Sequence, residues 1–296
     1  MPIRLTLTIL IALFGFVNVG AAQQTWWVNN QGELNDADFS SLADAIAAAS
    51  AGDTIMLYPS NITYSGTVNK PLHIYGAGYS INSNYQVDGS IGLTPSTIAA
   101  VSFQESARGS SLNSVQAVGN ASAATNDVLF NKCLFTSNIN WSGDSIKFQK
   151  CYFQSAGGIG SSSDRAHISN CIFSNQYFSF GGTNMLVENS YIRKLQYSNQ
   201  GSGLFLSNYI NEVSSHTNLP TSYQIYHNCF AYGYSGLISI NGNIQGSYNS
   251  VFGSAGIAPS TPATPLLQIH RLSEPASTAL TADPTEEPNP TYPPAC

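Results

Sequence analysis

The stretch Phe148-Gln149-Lys150-Cys151-Tyr152-Phe153 has near-copies on both sides. Upstream lies Phe130-Asn131-Lys132-Cys133-Leu134-Phe135. Downstream lie Ile168-Ser169-Asn170-Cys171-Ile172-Phe173, Val187-Glu188-Asn189-Ser190-Tyr191-Ile192 and Tyr226-His227-Asn228-Cys229-Phe230-Ala231. Weaker copies pass through Asn113-Ser114, Leu206 with Asn208-Tyr209, and Asn249-Ser250-Val251-Phe252. The column formed by positions 114, 133, 151, 171, 190, 209, 229 and 250 steps by 19, 18, 20, 19, 19, 20 and 21 residues. A step of that size sustained along the chain marks a stacked repeat, in which each copy buries its apolar face only against its neighbours.

Within one copy the alternation assigns sides. Ala166, Ile168, Cys171 and Phe173 point inward, His167, Ser169 and Ile172 point outward, and Asn170 takes the bend. Asn precedes most positions of this column (at 113, 170, 189, 208, 228 and 249), with Lys at 132 and 150. Asn tolerates the left-handed backbone of a tight corner. Leucine-rich repeats are the rival pattern, but they need a further apolar residue where this chain has Thr125, Gly143, Ser163, Gly182 and Gly201. Stacked strands lie about 4.8 Å apart, within the Cα separation a disulfide accepts. The column Cys133, Cys151, Cys171 is therefore either a buried thiol file or contains one oxidised pair.

The bulk numbers narrow the function. The 296 residues are 43% apolar and 9% charged, with a net charge of −6. So few cations exclude nucleic acid as the expected partner, because phosphate binding needs clustered Lys and Arg. Residues 1–22 read as a secretory leader, with Arg4, an apolar Leu5 to Val17 and a small-residue site at Gly20-Ala21-Ala22. That apolar run is shorter than the roughly 20 residues a membrane span requires, so an exported, extracellular or cell-surface protein without a span is expected. A helix is predicted over about 39–51, capped by Asp38 or Ser40, lined by Phe39, Leu42, Ile46 and Ala49 and stopped by Gly52. The repeat domain runs over 23–255. Over 256–296 the repeat is lost and nine of the chain's 14 Pro fall between Pro259 and Pro294, which predicts a disordered tail. With no polar cap visible after the last repeat, a piece of a longer adhesin is one expectation.

The run Phe39-Ser-Ser-Leu-Ala-Asp-Ala-Ile46, then Ala51-Gly-Asp-Thr-Ile-Met-Leu-Tyr-Pro59, then Lys70-Pro-Leu-His-Ile-Tyr-Gly-Ala-Gly78 resembles the opening segment of right-handed parallel β-helix proteins of the pectate-lyase-like superfamily. The resemblance covers about 25–253. It implies an all-β fold, a single-stranded right-handed parallel β-helix with three strands per turn and an N-terminal capping α-helix. That fold hosts lyases, hydrolases and binding proteins alike. The sequence strings of pectate lyases and polygalacturonases are absent, so no catalytic residue carries over.

Two constellations remain. Asp127, Asp144 and Asp164 precede the Cys column by six or seven residues and are expected to stack at one corner, where hard oxygen ligands suit calcium. Lys147 and His167 share an outward position, with Arg165 beside them, as the base set of a calcium-assisted lyase on a uronate glycan. The alternative is that these Asp are turn residues with local ion partners. The second constellation is an outward apolar column, Leu134, Tyr152, Ile172, Tyr191, Phe230 and Val251, with a second line at Leu186, Phe205 and Ile225. Exposed apolar surface of this extent marks a contact site, and the aromatic faces of Tyr152, Tyr191 and Phe230 suit sugar rings. The alternative is a face covered by other parts of the chain. The expected partner is an extracellular polysaccharide or cell-surface glycan bound without catalysis.

Overall fold

The computed structural model describes residues 22–32, 36–79, 94–119, 121–123, 125–174, 178–197, 201–213, 223–230 and 250–251. Of the expected leader only residue 22 is among them, and the Pro-rich 256–296 lies outside them. Among the described residues no helix is long and apolar enough to cross a membrane.

The described strands form one ten-stranded and one fourteen-stranded sheet, and their pairings are parallel. Phe148 lies between Phe130 and Ile168, and Ile168 lies beside Val187, so each winding rests on the one before it. A winding contributes three segments, as in Lys147–Gln149, Tyr152–Phe153 and Gly157–Ile159, followed by His167–Ser169, Ile172–Phe173 and Phe178–Phe180. The second and third segments belong to one sheet because Ser96–Phe103 and Tyr191–Tyr197 run through the bend and pair on both sides of it. This is a parallel β-solenoid.

Inside it, equivalent residues stack. Phe130 and Phe148 rings lie 5.1 Å apart at 17°, Phe135 and Phe153 5.1 Å apart at 10°, and Phe153 and Phe173 4.5 Å apart at 1°. In-register parallel strands put like residues face to face, and offset ring pairs add to the area they bury. Gly201 leaves room for such packing: a Cβ there would stand 1.8 Å from the Tyr223 hydroxyl, which donates 2.7 Å to the Phe180 carbonyl.

Two corners repeat. At the first, Ser114, Lys132, Lys150, Asn170, Asn189, Ser207 and His227 all have φ between 48° and 55°. At the second, Asp127, Ser145, Arg165 and Asn184 have φ between 50° and 59°. Left-handed backbone costs an ordinary L-residue about 1–2 kcal/mol, and less for Asn and Asp. The corner expected at Asn170 and Asn189 is there. Asn113 is instead the last residue of a strand, while Asn208 and Asn228 sit one place inside the corner and are buried.

The internal file needs the same correction. It runs Val115, Cys133, Cys151, Cys171, Ser190, Asn208, Asn228, and the carbonyls of Val115 through Asn208 each accept an N–H from the next winding. Each member lies three residues after the inward residue of the preceding strand. Cys229 falls one place beyond and pairs with Tyr209 and Ser250. A one-residue slip reverses the face, so Phe230 is not outward: it stands beside Ile210, buried, as do Phe205 and Ile225 in their own file. Val251 likewise shares the register of Phe230. Cys133, Cys151 and Cys171 are free thiols and buried, donating to the carbonyls of Leu112, Phe130 and Phe148 at 3.3, 3.4 and 3.5 Å. Cys229 is disulfide-bonded.

At the N-terminal end, β1 (Thr25–Val28) pairs with β2 (Thr54–Leu57). The helix α1 is Leu42–Ala48, shorter than expected. Ser41 rather than Asp38 or Ser40 is its cap, accepting from the Asp44 N–H at 3.4 Å. Asp38 and Phe39 are drawn off to the edge of β1, where Asp38 accepts from Trp27 N–H and Phe39 bridges to Val28. The buried face Leu42, Ala45 and Ile46 lies on Gly66 of β3 (Ser60–Val68), where a Cβ would stand 2.8 Å from Ile46 Cδ1. Lys70 satisfies the last helix carbonyls, reaching Ala49 O at 2.8 Å.

Candidate functional site

The strand after the first corner carries outward side chains in register: Leu134, Tyr152, Ile172, Tyr191, Tyr209, Cys229. Each is four residues beyond the inward residue of the strand before it. Leu134 and Cys229, towards the ends of the row, are buried. Between them Ile172 is 42% exposed and Tyr191 38%. Tyr191 and Tyr209 rings stack at 5.5 Å and 12°. The result is a flat apolar strip running along the stack. Of the three aromatic residues expected to bind sugar, the structure brings Tyr152 and Tyr191 to this strip and sends Phe230 into the core. Tyr209 takes the place expected of an aromatic neighbour.

The acidic constellation is rearranged. Asp144 and Asp164 do share a column, with Asn126 before them and Thr183 after. Each side chain accepts the backbone N–H of the next winding: Asn126 Oδ1 from Asp144 at 2.8 Å, and Asp144 Oδ1 from Asp164 at 2.8 Å. Asp164 Oδ1 accepts from Thr183 Oγ1 at 3.0 Å and Asn184 Nδ2 at 2.8 Å, and Arg165 stands 3.0 Å from its other oxygen. The Asn184 bond first, against a smaller opposing desolvation, and then Thr183 and Arg165 hold the Asp164 carboxyl below its ordinary value. Asp127 is one place along, at the left-handed corner position of Ser145 and Arg165, and pairs with Arg108 at 2.7 Å. The three carboxylates therefore do not converge, and among the described residues no group of three His, Cys, Asp or Glu is placed to hold a metal ion. Their oxygens serve the turn.

Lys147 and His167 are neighbours in register as expected. His167 Nε2 meets Glu188 Oε1 at 2.8 Å, a partner the sequence reasoning missed. Arg165 turns to Asp164 and Ser145 at the corner. A second exposed apolar column was also missed: Trp27, Met56 and Tyr75 lie in register, with Trp27 40% and Tyr75 38% exposed.

Compared with protein-family models, with curated proteins and with solved structures, the chain matches none.

Proposed function

We propose that this is an exported β-helix protein, akin to the pectate-lyase-like superfamily, that binds an extracellular glycan along the strip Tyr152, Ile172, Tyr191 and Tyr209 without cleaving it. The observation that carries the reading is the exposed Ile172 and Tyr191, with Tyr191 stacked on Tyr209, in a row along the axis. Aromatic faces offer a flat apolar plane at small entropic cost, and such a plane complements the faces of sugar rings. The leader-like residues 1–22 support an extracellular site of action. The non-catalytic part of the reading is supported by the Asp144 and Asp164 oxygens, which are taken up by backbone and side-chain donors of neighbouring windings.

Affinity electrophoresis through gels containing xylan, galactomannan or hydroxyethyl cellulose tests it. At least one should retard the protein, Tyr191→Ala should reduce the retardation, and no ultraviolet-absorbing unsaturated product should appear from a uronate glycan. Retardation unaltered in Tyr191→Ala, with Tyr209→Ala equally silent, would discard the strip.

A further inference from the structure

Cations in this protein are few, and most are already engaged. Arg108 pairs with Asp127, Arg165 with Asp164 and Lys194 with Glu212. Lys70 binds helix carbonyls and Arg193 the Ser174 carbonyl. Among the described residues three lysines are left whose ammonium groups have no hydrogen bond or ion pair: Lys132, Lys147 and Lys150. All three are exposed, and all lie on two adjacent windings. In a chain of net charge −6 this is a local reversal of sign.

Lys132 and Lys150 are also in an expensive place. Both occupy the left-handed corner, at φ 53° and 55°, a place that Asn170 and Asn189 fill on the next two windings at lower cost. The Lys132 N–H donates to the Gln149 carbonyl, so the two corners are one strand spacing apart. Like charges set opposite one another on adjacent strands destabilise a sheet, so the pair is doubly unfavourable for the fold alone. Strain kept at a place where Asn would serve is a reason to look for a ligand. The ridge they form leads, two residues on, to Leu134 and Tyr152, the start of the apolar strip.

We propose that Lys132 and Lys150, with Lys147 beside them, bind the anionic groups of an acidic polysaccharide whose sugar rings lie on the strip. This rests on the glycan reading above. Ammonium groups act as point charges with three rotatable donors each, so the patch suits a carboxylate or a sulfate ester, the two anionic groups a polysaccharide carries.

Three polymers on one backbone separate the possibilities: hydroxyethyl cellulose, cellulose sulfate and carboxymethyl cellulose, each in affinity gels at low and physiological salt. The double variant Lys132→Asn/Lys150→Asn is compared with Arg108→Gln/Arg165→Gln, which removes the same charge at the second corner. The lysine variant should weaken binding of at least one of the two charged polymers about tenfold, flatten its salt dependence and leave hydroxyethyl cellulose binding unchanged, and the polymer so affected identifies the anionic group. The arginine variant should weaken it less than about twofold. Equal losses in both variants would reduce the patch to general charge and overturn it. So would binding of both charged polymers that the lysine variant leaves intact. Lysine-dependent binding that Tyr191→Ala leaves untouched would uphold the patch and discard the strip. Both variants replace surface side chains, and the lysine variant should melt no lower than the wild type.

Discussion

Asp53 shows how much one side chain can organise here. It is buried at the turn between α1 and β2. Its Oδ1 accepts from the Gln24 N–H at 2.9 Å, and its Oδ2 accepts from the Ser50 N–H at 2.8 Å and the Trp26 indole at 3.0 Å. Burial pushes its pKa up, but these three bonds together with the Lys70 charge outweigh that and leave it lowered. A carboxyl whose folded pKa is depressed adds stability that is complete above its unfolded value, near 4, and is lost as pH falls through the folded value. Thermal melts from pH 6 down to 3 should therefore show a steeper loss for the wild type than for Asp53→Asn, whose amide does not titrate. Parallel curves would remove Asp53 from the acid sensitivity of the fold. At the same scale the sequence was readable wherever an inward anchor was nearby. Lys147 and His167 each precede an inward residue by one, and they are neighbours in register. Asp127 precedes Phe130 by three, whereas Asp144 and Asp164 precede Phe148 and Ile168 by four, so counting back from the Cys column merged two different corner positions.

At the scale of the element, the corner file changes chemistry part-way along. After Val115 come three thiols that donate to a carbonyl of the preceding winding. Later ones are amides: Asn208 donates to Val187 O at 2.8 Å while accepting from Ser190 N–H at 3.0 Å, and Asn228 donates to Phe205 O at 2.8 Å. Removing a partner from a buried polar group costs about 1–3 kcal/mol. Asn208→Ala strands two such groups and should destabilise the protein by about 3 kcal/mol in urea titrations, with Asn208→Cys intermediate because a thiol reaches the same carbonyl. A loss below about 1 kcal/mol would show that the ladder is dispensable. This change of chemistry also hides the register in the sequence. Cys229 resembles the thiols by residue type, whereas the constant quantity is the three-residue interval from inward residue to file, which ends at Asn228. Applied to Phe205 and Ile225, that interval would have kept both inside and exposed Tyr209 as the neighbour of Tyr191. The helix boundary was obscured for another reason: Asp38 and Phe39 have good helical credentials, but the open edge of β1 claims them first.

For the molecule as a whole, the solenoid was legible because a period near nineteen leaves few alternatives once alternation and corner residues agree. Function was not, because outward residues are free of the spacing that governs the interior. A stack of this kind draws its stability from contacts between successive windings, so it can open locally without unfolding throughout. Cys133, Cys151 and Cys171 sit at the seam of three consecutive windings, unoxidised and hidden from solvent. Burial also lifts the Cys151 thiol well above its ordinary pKa, with its two neighbours adding to the shift. They amount to tripwires laid along the axis: a maleimide cannot touch them until the coil parts. Graded labelling with mild denaturant, read by mass at each cysteine, would chart where the spring first uncoils, and simultaneous labelling of all three would mean it gives way at once.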